Sequence, residues 1–253
     1  MITRVNIFGT EYGFCRSAKA NYEDKYNRIV KLAMSFEELS EKFDRMIEKG
    51  GYVTDTARCA LACKMMMYTG IRIGNEGSAE GYITKPHPNS KKEPEFVQTY
   101  GLTTLLPEHV LVKGRTVYLN FIGKKQVENS FTLTGELAKQ VKEVLKTVEQ
   151  GETFFEITEY ELTTFIKRYV GRRFTPKDFR TLRANMCAWE KFSEICEREL
   201  PSTKTEFNKE VKEIATYVGE HLNNTPGVCK ASYIDSMLWD EVAEQRPVTK
   251  RKK

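Results

Sequence analysis

TARCALACKMMMYTG, residues 56–70, is apolar on almost every side of a helical wheel, carries three consecutive methionines and ends on glycine. A helix that is hydrophobic all round has to be enclosed by other elements, so this stretch predicts a helix buried in the middle of a domain. Toward the N-terminus, Asn21 to Gly50 keeps a helical period. Ser35 with Glu38 reads as a capping box ahead of the stripe Leu39, Phe43, Met46 and Ile47, Gly50 is the stop, and two helices fit the span. In the other direction, residues 77–98 gather Gly, Pro, Ser and Lys without a period, which predicts a loop insertion and the most mobile part of the chain. Three short alternating runs follow, 108–113, 116–123 and 127–133, split by Lys113-Gly114-Arg115 and Gly123-Lys124-Lys125-Gln126. They predict a three-stranded antiparallel sheet over residues 108–133.

The remainder reads as helix. Thr134 opens a helix carrying Leu137, Val141, Val144, Leu145 and Val148, and Thr158 with Glu161 caps another that ends near Gly171. Thr175-Pro176 starts a long helix with Asp178 in its first turn, which puts Arg180 and Arg183 one turn apart. A further helix fits Thr203 to His221, and Thr225-Pro226 caps the one that carries Tyr233. The fold class is therefore α+β, mainly α, with a small sheet on one side. No repeat or linker is visible, so the expected division is a short N-terminal segment over 1–20, one domain over 21–245 and a basic tail over 246–253.

The chain has 253 residues, 40% hydrophobic and 30% charged, with 16 Gly and 8 Pro, which excludes disordered, collagenous and low-complexity classes. No window approaches the ~20 consecutive apolar residues of a membrane span, and Met1 to Arg16 lacks a basic start followed by an apolar run, so no membrane partner and no secretion are expected. Six cysteines (Cys15, Cys59, Cys63, Cys187, Cys196 and Cys229) form no C-x-x-C pair, and His87, His109 and His221 lie far apart. The cysteines read as reduced and no metal is expected. There is no G-x-x-x-x-G-K-[ST], G-x-G-x-x-G, H-E-x-x-H or G-x-S-x-G, hence no expected cofactor. Lys plus Arg exceed Asp plus Glu by 40 to 35, a net +5 that points mildly to a polyanion. The tail Lys250-Arg251-Lys252-Lys253 reads as a solvated terminus, with phosphate contact as the alternative.

What stands out is a set of basic residues in special local settings: Arg72 just past the apolar helix, Lys124 in a tight hairpin turn, Arg180 in the first turns of a helix. Two arginines and a lysine brought together make a phosphate site, because guanidinium forks match non-bridging oxygens and an ammonium can donate a proton. Each also has a plainer reading. Arg72 could pair with Glu76 at the edge of the core, Lys124 could be an ordinary hairpin lysine, Arg180 a helix-surface residue and Tyr233 one of 12 packed tyrosines.

GIRIGNE (70–76), YGLTTL (100–105), FIGKK (121–125), PKDFRT (176–181) and NNTPGVCKASYI (223–234) together resemble the type IB DNA topoisomerases of the bacterial and poxvirus type, in order and in spacing, from about Tyr12 to Leu238. The resemblance implies the tyrosine recombinase/topoisomerase IB catalytic fold. It also implies relaxation of supercoiled DNA by transient cleavage of one strand through a 3′-phosphotyrosyl intermediate and religation, without ATP or metal. By motif, Tyr233 would be the nucleophile, Arg72 and Arg180 the pair that stabilises charge on phosphorus, and Lys124 the general acid for the leaving 5′-oxygen. Poxvirus members have histidine nine residues before the tyrosine; here 233 minus 9 gives Asn224, as in bacterial members, whose amide can donate a hydrogen bond but cannot titrate. Tyr100, Thr103, Lys125, Lys177 and Arg183 are implied as further DNA contacts, with packing roles as their alternatives. Double-stranded DNA would be the partner of a monomer, in the cytoplasm of a bacterium or of the host cell of a virus, or in a nucleus. Relatives carry an N-terminal β-rich domain of which only the last portion fits before Tyr12, so a short form is expected. Tyrosine recombinases and integrases share the catalytic set and are the close alternative, although they place H-x-x-R where this chain has Lys177-Asp178-Phe179-Arg180.

Overall fold

The computed structural model describes residues 2–15, 20–85, 93–149 and 151–248. The tail Lys250 to Lys253 and residues 86–92 of the expected insertion lie outside them. In chain order the elements are β1 (Ile2–Ile7), β2 (Thr10–Cys15), α1 (Ala20–Met34), α2 (Phe36–Gly50), α3 (Asp55–Thr69), α4 (Glu76–Glu80), β3 (Tyr82–Ile83) and β4 (Phe96–Val97). They continue with β5 (Val110–Lys113), β6 (Thr116–Gly123), β7 (Val127–Leu133), α5 (Gly135–Leu145), α6 (Glu159–Tyr169), α7 (Pro176–Cys196), α8 (Lys204–His221), α9 (Pro226–Ser232) and α10 (Met237–Gln245). The class is α+β and mainly α. The structure divides into two compact units, Met1–Ser40 with Met67–Gly70 and Arg173–Lys253, and Glu41–Met66 with Ile71–Arg172. Two of the borders fall inside α2 and α3, where no Gly, Pro or Ser stretch marks them, which is why the sequence reads as one domain without a linker.

In the first unit α7 is the spine. Phe179, Leu182, Cys187, Ala188, Phe192 and Ile195 of this helix are all buried, and it packs against α1, α8 and β2. The short N-terminal segment is a hairpin: β1 pairs antiparallel with β2, Ile7 opposite Thr10, and turns through Phe8 and Gly9, both at positive φ. Its alternation buries Val5, Ile7, Tyr12 and Phe14. Gly13 has no room for a side chain because the Trp189 ring of α7 occupies that position. The Thr203 cap of α8 is in place, its side chain accepting the Glu206 N–H at 3.2 Å.

The second unit buries the face of α3 that carries Ala60, Leu61, Cys63, Met65 and Met66. Two charged residues on this apolar helix are accommodated only because each is paired: Lys64 with Asp44 and the Gln140 carbonyl oxygen, Arg58 with Glu156. The sheet has the order β5-β6-β7, with Leu119 opposite Val110 on one side and Phe131 on the other. Val117, Leu119, Phe121, Phe131 and Leu133 fill its inner face, against which α5 packs. The α6 box is reciprocal: Thr158 accepts the Glu161 N–H, and Glu161 accepts the Thr158 N–H at 2.8 Å. Residues 77–98 are not all loop. Asn75 caps α4 by accepting the Ser78 N–H at 3.2 Å, and β3 pairs with β4, elements too short to leave a period in the sequence.

Arg246 is the first residue of the stretch expected as a basic tail. Arg246 is 2% exposed, ion-paired with Glu210 at 2.7 Å, and donates to the carbonyls of Arg198, at 2.7 Å, and Glu199. Removing it strands a partly buried carboxylate and two carbonyls. Arg246→Ala is therefore expected to lower stability by about 3–5 kcal/mol, read as a reduced midpoint in urea with an unchanged slope.

Candidate active site

The first unit holds Arg180, Asn224 and Tyr233. Thr175 and Asp178 fix the start of α7: the Thr175 N–H and hydroxyl both donate to Asp178, each at 2.8 Å, while Arg28 of α1 bonds the other carboxylate oxygen at 3.2 Å. With Pro176 at the first helical position, this phase turns Arg180 inward. Arg180 is 3% exposed and donates to the carbonyls of Gly70 and Leu222, both at 2.6 Å. Gly70, at φ +66, ends α3; a side chain there would collide with Leu222. The Arg180 guanidinium lies 5.2 Å from the centroid of the Tyr233 ring, within the range of a cation–π contact.

Leu222 ends α8, and the chain turns through Asn223, at φ +47, into Asn224 and α9. Asn224 accepts the Thr225 N–H at 3.0 Å through its side-chain oxygen, and its Nδ2 is buried with no partner among the described residues. Gly219 has no room for a Cβ because the Asn224 carbonyl oxygen would lie 2.8 Å from it. Tyr233 sits at the C-cap of α9 rather than within the helix, with its N–H closing the last turn on the Cys229 carbonyl at 3.0 Å. It is half-buried.

Arg72 and Lys124 belong to the second unit. The Arg72 carbonyl accepts the Leu102 N–H at 2.8 Å, and the Ile73 carbonyl accepts the Thr103 N–H at 2.7 Å. Gly74 and Gly101 let these two backbones touch: a Cβ on Gly101 would lie 2.5 Å from the Gly74 Cα. Tyr100 in turn donates its N–H to Ile122 of β6 at 2.7 Å. Gly123 closes β6 against the Asn129 side chain, and Lys124–Gln126 form a single 3-10 turn in which Lys125 and Gln126 take φ of +66 and +58. One continuous hydrogen-bonded path thus joins the backbone of Arg72 to the turn that presents Lys124. Lys124 is exposed and Arg72 partly so; the alternative pairing of Arg72 with Glu76 is not among the ion pairs of the described residues.

Two of the residues implied as DNA contacts, each with a packing role as its alternative, make contacts within the protein. Thr103 is 3% exposed and its hydroxyl donates to the Ile73 carbonyl at 3.0 Å, so it braces the Arg72 segment. Arg183 pairs with Glu190 at 3.3 Å, a carboxylate that also accepts the Tyr12 and Tyr217 hydroxyls. Lys125 and Lys177 are exposed, and Tyr100 packs its ring 4.5 Å from that of His109. Burial holds the His109 imidazole below the ordinary histidine range, and its Nδ1 accepts the Leu106 N–H at 3.0 Å. His221 sits at the end of α8, its ring 4.1 Å from that of Tyr217 and tilted 42° to it. Asn185, Lys25 and Asp235 lie around the Tyr233 turn without having been singled out; Asn185 and Lys25 hold its main-chain atoms, a role that leaves no spacing in a sequence. Among the described residues no three His, Cys, Asp or Glu side chains gather as a metal site, and no helix is long and apolar enough to cross a membrane.

A sequence model of the family described as "Eukaryotic DNA topoisomerase I, catalytic core" matches residues 16–247. The DNA topoisomerase 1B of Acanthamoeba polyphaga mimivirus is 23% identical over 150 residues, covering 54% of this chain and 45% of that protein. The chain thus spans about half the length of the curated relative it matches, the 45% just given.

Asp235 offers a pH test of the Tyr233 turn. Burial pushes its carboxyl from 3.8 up to about 6, opposed by the Met237 N–H that it accepts and by Lys25. The folded state holds this proton more tightly than the unfolded chain, so the contribution is full below about pH 4 and is lost as pH rises through about 6. Asp235→Asn keeps the acceptor oxygen and removes the ionisation. It is expected to gain on the wild type between those pH values by on the order of 2 kcal/mol, measured by urea unfolding across a pH series.

Proposed function

The chain belongs to the family of the eukaryotic DNA topoisomerase I catalytic core, and from that premise we propose that it is a type IB topoisomerase that relaxes supercoiled double-stranded DNA. The observation that carries the reading is the Arg180 guanidinium held over the ring of Tyr233. A buried cation beside the phenol offers charge where a pentacoordinate phosphorus needs it.

In the proposed reaction the Tyr233 oxygen attacks a backbone phosphorus as its phenolic proton passes to water. The P–O5′ bond breaks, and its electron pair leaves on the 5′-oxygen, which takes a proton from the Lys124 ammonium. A 3′-phosphotyrosyl bond and a free 5′-hydroxyl result. One phosphodiester has replaced another, so strand rotation and religation need no ATP. Arg72 and Arg180 neutralise charge on the non-bridging oxygens, and the open Nδ2 of Asn224 supplies one more donor without moving a proton. The exposed Lys125 and Lys177 add salt-sensitive contacts to the DNA backbone.

Tyr233→Phe is expected to abolish both the covalent protein–DNA adduct and plasmid relaxation in EDTA without ATP, while leaving DNA affinity nearly unchanged. Nicking or relaxation by that variant would assign the nucleophile to another residue. Lys124→Ala is expected to slow cleavage by ~10²–10⁴. A substrate with sulfur at the bridging 5′ position, which leaves without protonation, should recover most of that rate, and Arg72→Ala should show no such recovery.

A further inference from the structure

The turn that follows α9 is gripped by its backbone. Asn185 Nδ2 donates to the Tyr233 carbonyl at 2.9 Å, and Asn185 Oδ1 accepts the Asp235 N–H at 2.8 Å. Two side chains of α1 take the flanking carbonyls, Lys25 that of Ser232 at 3.0 Å and the Tyr26 hydroxyl that of Ile234 at 3.5 Å. Asn185 also donates to the Thr181 carbonyl one turn back at 2.7 Å, which fixes the plane of its amide.

Asparagine is a poor choice for this position by every local rule. It lies in the interior of α7 at 7% exposure, between Ala184 and Met186. Asparagine lowers helix propensity there, and an amide so buried costs free energy unless all its bonding capacity is met. That capacity is met mainly by residues 233 and 235, on both sides of the peptide that carries the phenol. The same rigid helix carries Arg180, whose guanidinium lies over the Tyr233 ring. A single element therefore sets the position of both groups.

We infer that Asn185 is a positioning residue for Tyr233: by bonding the main chain on either side of the tyrosine, it holds the phenol in register with Arg180 for in-line attack. This role rests on the transesterification proposed above. Displacement of a nucleophile by ~1 Å costs on the order of 10² in rate, and without Asn185 two backbone bonds to the turn are lost together.

The test compares Asn185→Ala with Arg246→Ala, a destabilised control whose substitution lies at the anchor of α10. Single-turnover adduct formation on a nicking substrate, well below both midpoints, is expected to fall about 10–100-fold in N185A and to stay at the wild-type rate in R246A. DNA affinity, measured with Tyr233→Phe as the background, is expected to be unchanged by N185A. In the free protein, hydrogen exchange of the main chain over residues 232–237 should quicken in N185A, with the β5-β6-β7 sheet unaffected. An unaltered rate and unaltered exchange in N185A, or an equal rate loss in R246A, would overturn the inference. If the wild-type chain forms no adduct at all, the transesterification reading fails, and the exchange measurement still decides whether Asn185 holds the turn. Should N185A not fold, Asn185→Asp serves in its place; it keeps the acceptor for the Asp235 N–H and loses the donor to Tyr233, so the same loss of rate and faster exchange are expected.

Discussion

A guanidinium at 3% exposure needs acceptors to offset its lost hydration, and Arg180 finds them for Nη1 and Nη2 on backbone carbonyls, those of Gly70 and Leu222. Those carbonyls are the orphaned acceptors at the C-terminal ends of α3 and α8, groups a helix cannot satisfy by itself. The arginine therefore closes two helix ends and takes the position over Tyr233 as a result. The favourable placement of a cation at helix C-termini strengthens the arrangement. Gly70 is required at one of these ends because Leu222 fills the space of its missing side chain. Asn223 and Asn224 follow from the other end, where the chain must reverse into α9.

The parts of the fold governed by local chemistry were legible from the sequence. Capping residues Thr158, Thr175, Thr203 and Thr225 each open a helix, and the period-two runs became the three strands of an antiparallel sheet. What could not be read depends on contacts between residues distant in the chain. The division into two units is hidden where two of its borders lie within α2 and α3. Thr103 and Arg183 left packing and DNA contact open in the sequence, and their bonds to the Ile73 carbonyl and to Glu190 come from residues distant in the chain or across helical turns. The hairpin of the first fifteen residues has strands short enough that Trp189, from far along the chain, decides their packing. The glycines of the 70–76 and 100–105 motifs have a steric meaning, the meeting of Gly74 with Gly101, that spacing alone does not express.

The buried charges divide by purpose. Lys64 with Asp44, Arg58 with Glu156 and Arg246 with Glu210 are pairs whose members neutralise each other, and such pairs organise a core more than they stabilise it. Around Tyr233 the pattern differs. Arg180 is bonded to neutral carbonyls, Lys25 likewise to a carbonyl, and Asn224 leaves a donor unused.

The discontinuity of the first unit also sets an order of events on the ribosome. Residues 41–66 and 71–172, the whole of the second unit, emerge before residue 173 does. The hairpin and α1 emerge earlier still, yet their packing partner α7 does not. At ~5–20 residues per second, they wait several seconds for it. Lys25 and Tyr26 thus leave the ribosome long before the carbonyls they will hold. The turn that carries Tyr233 follows every residue of the second unit in the order of synthesis.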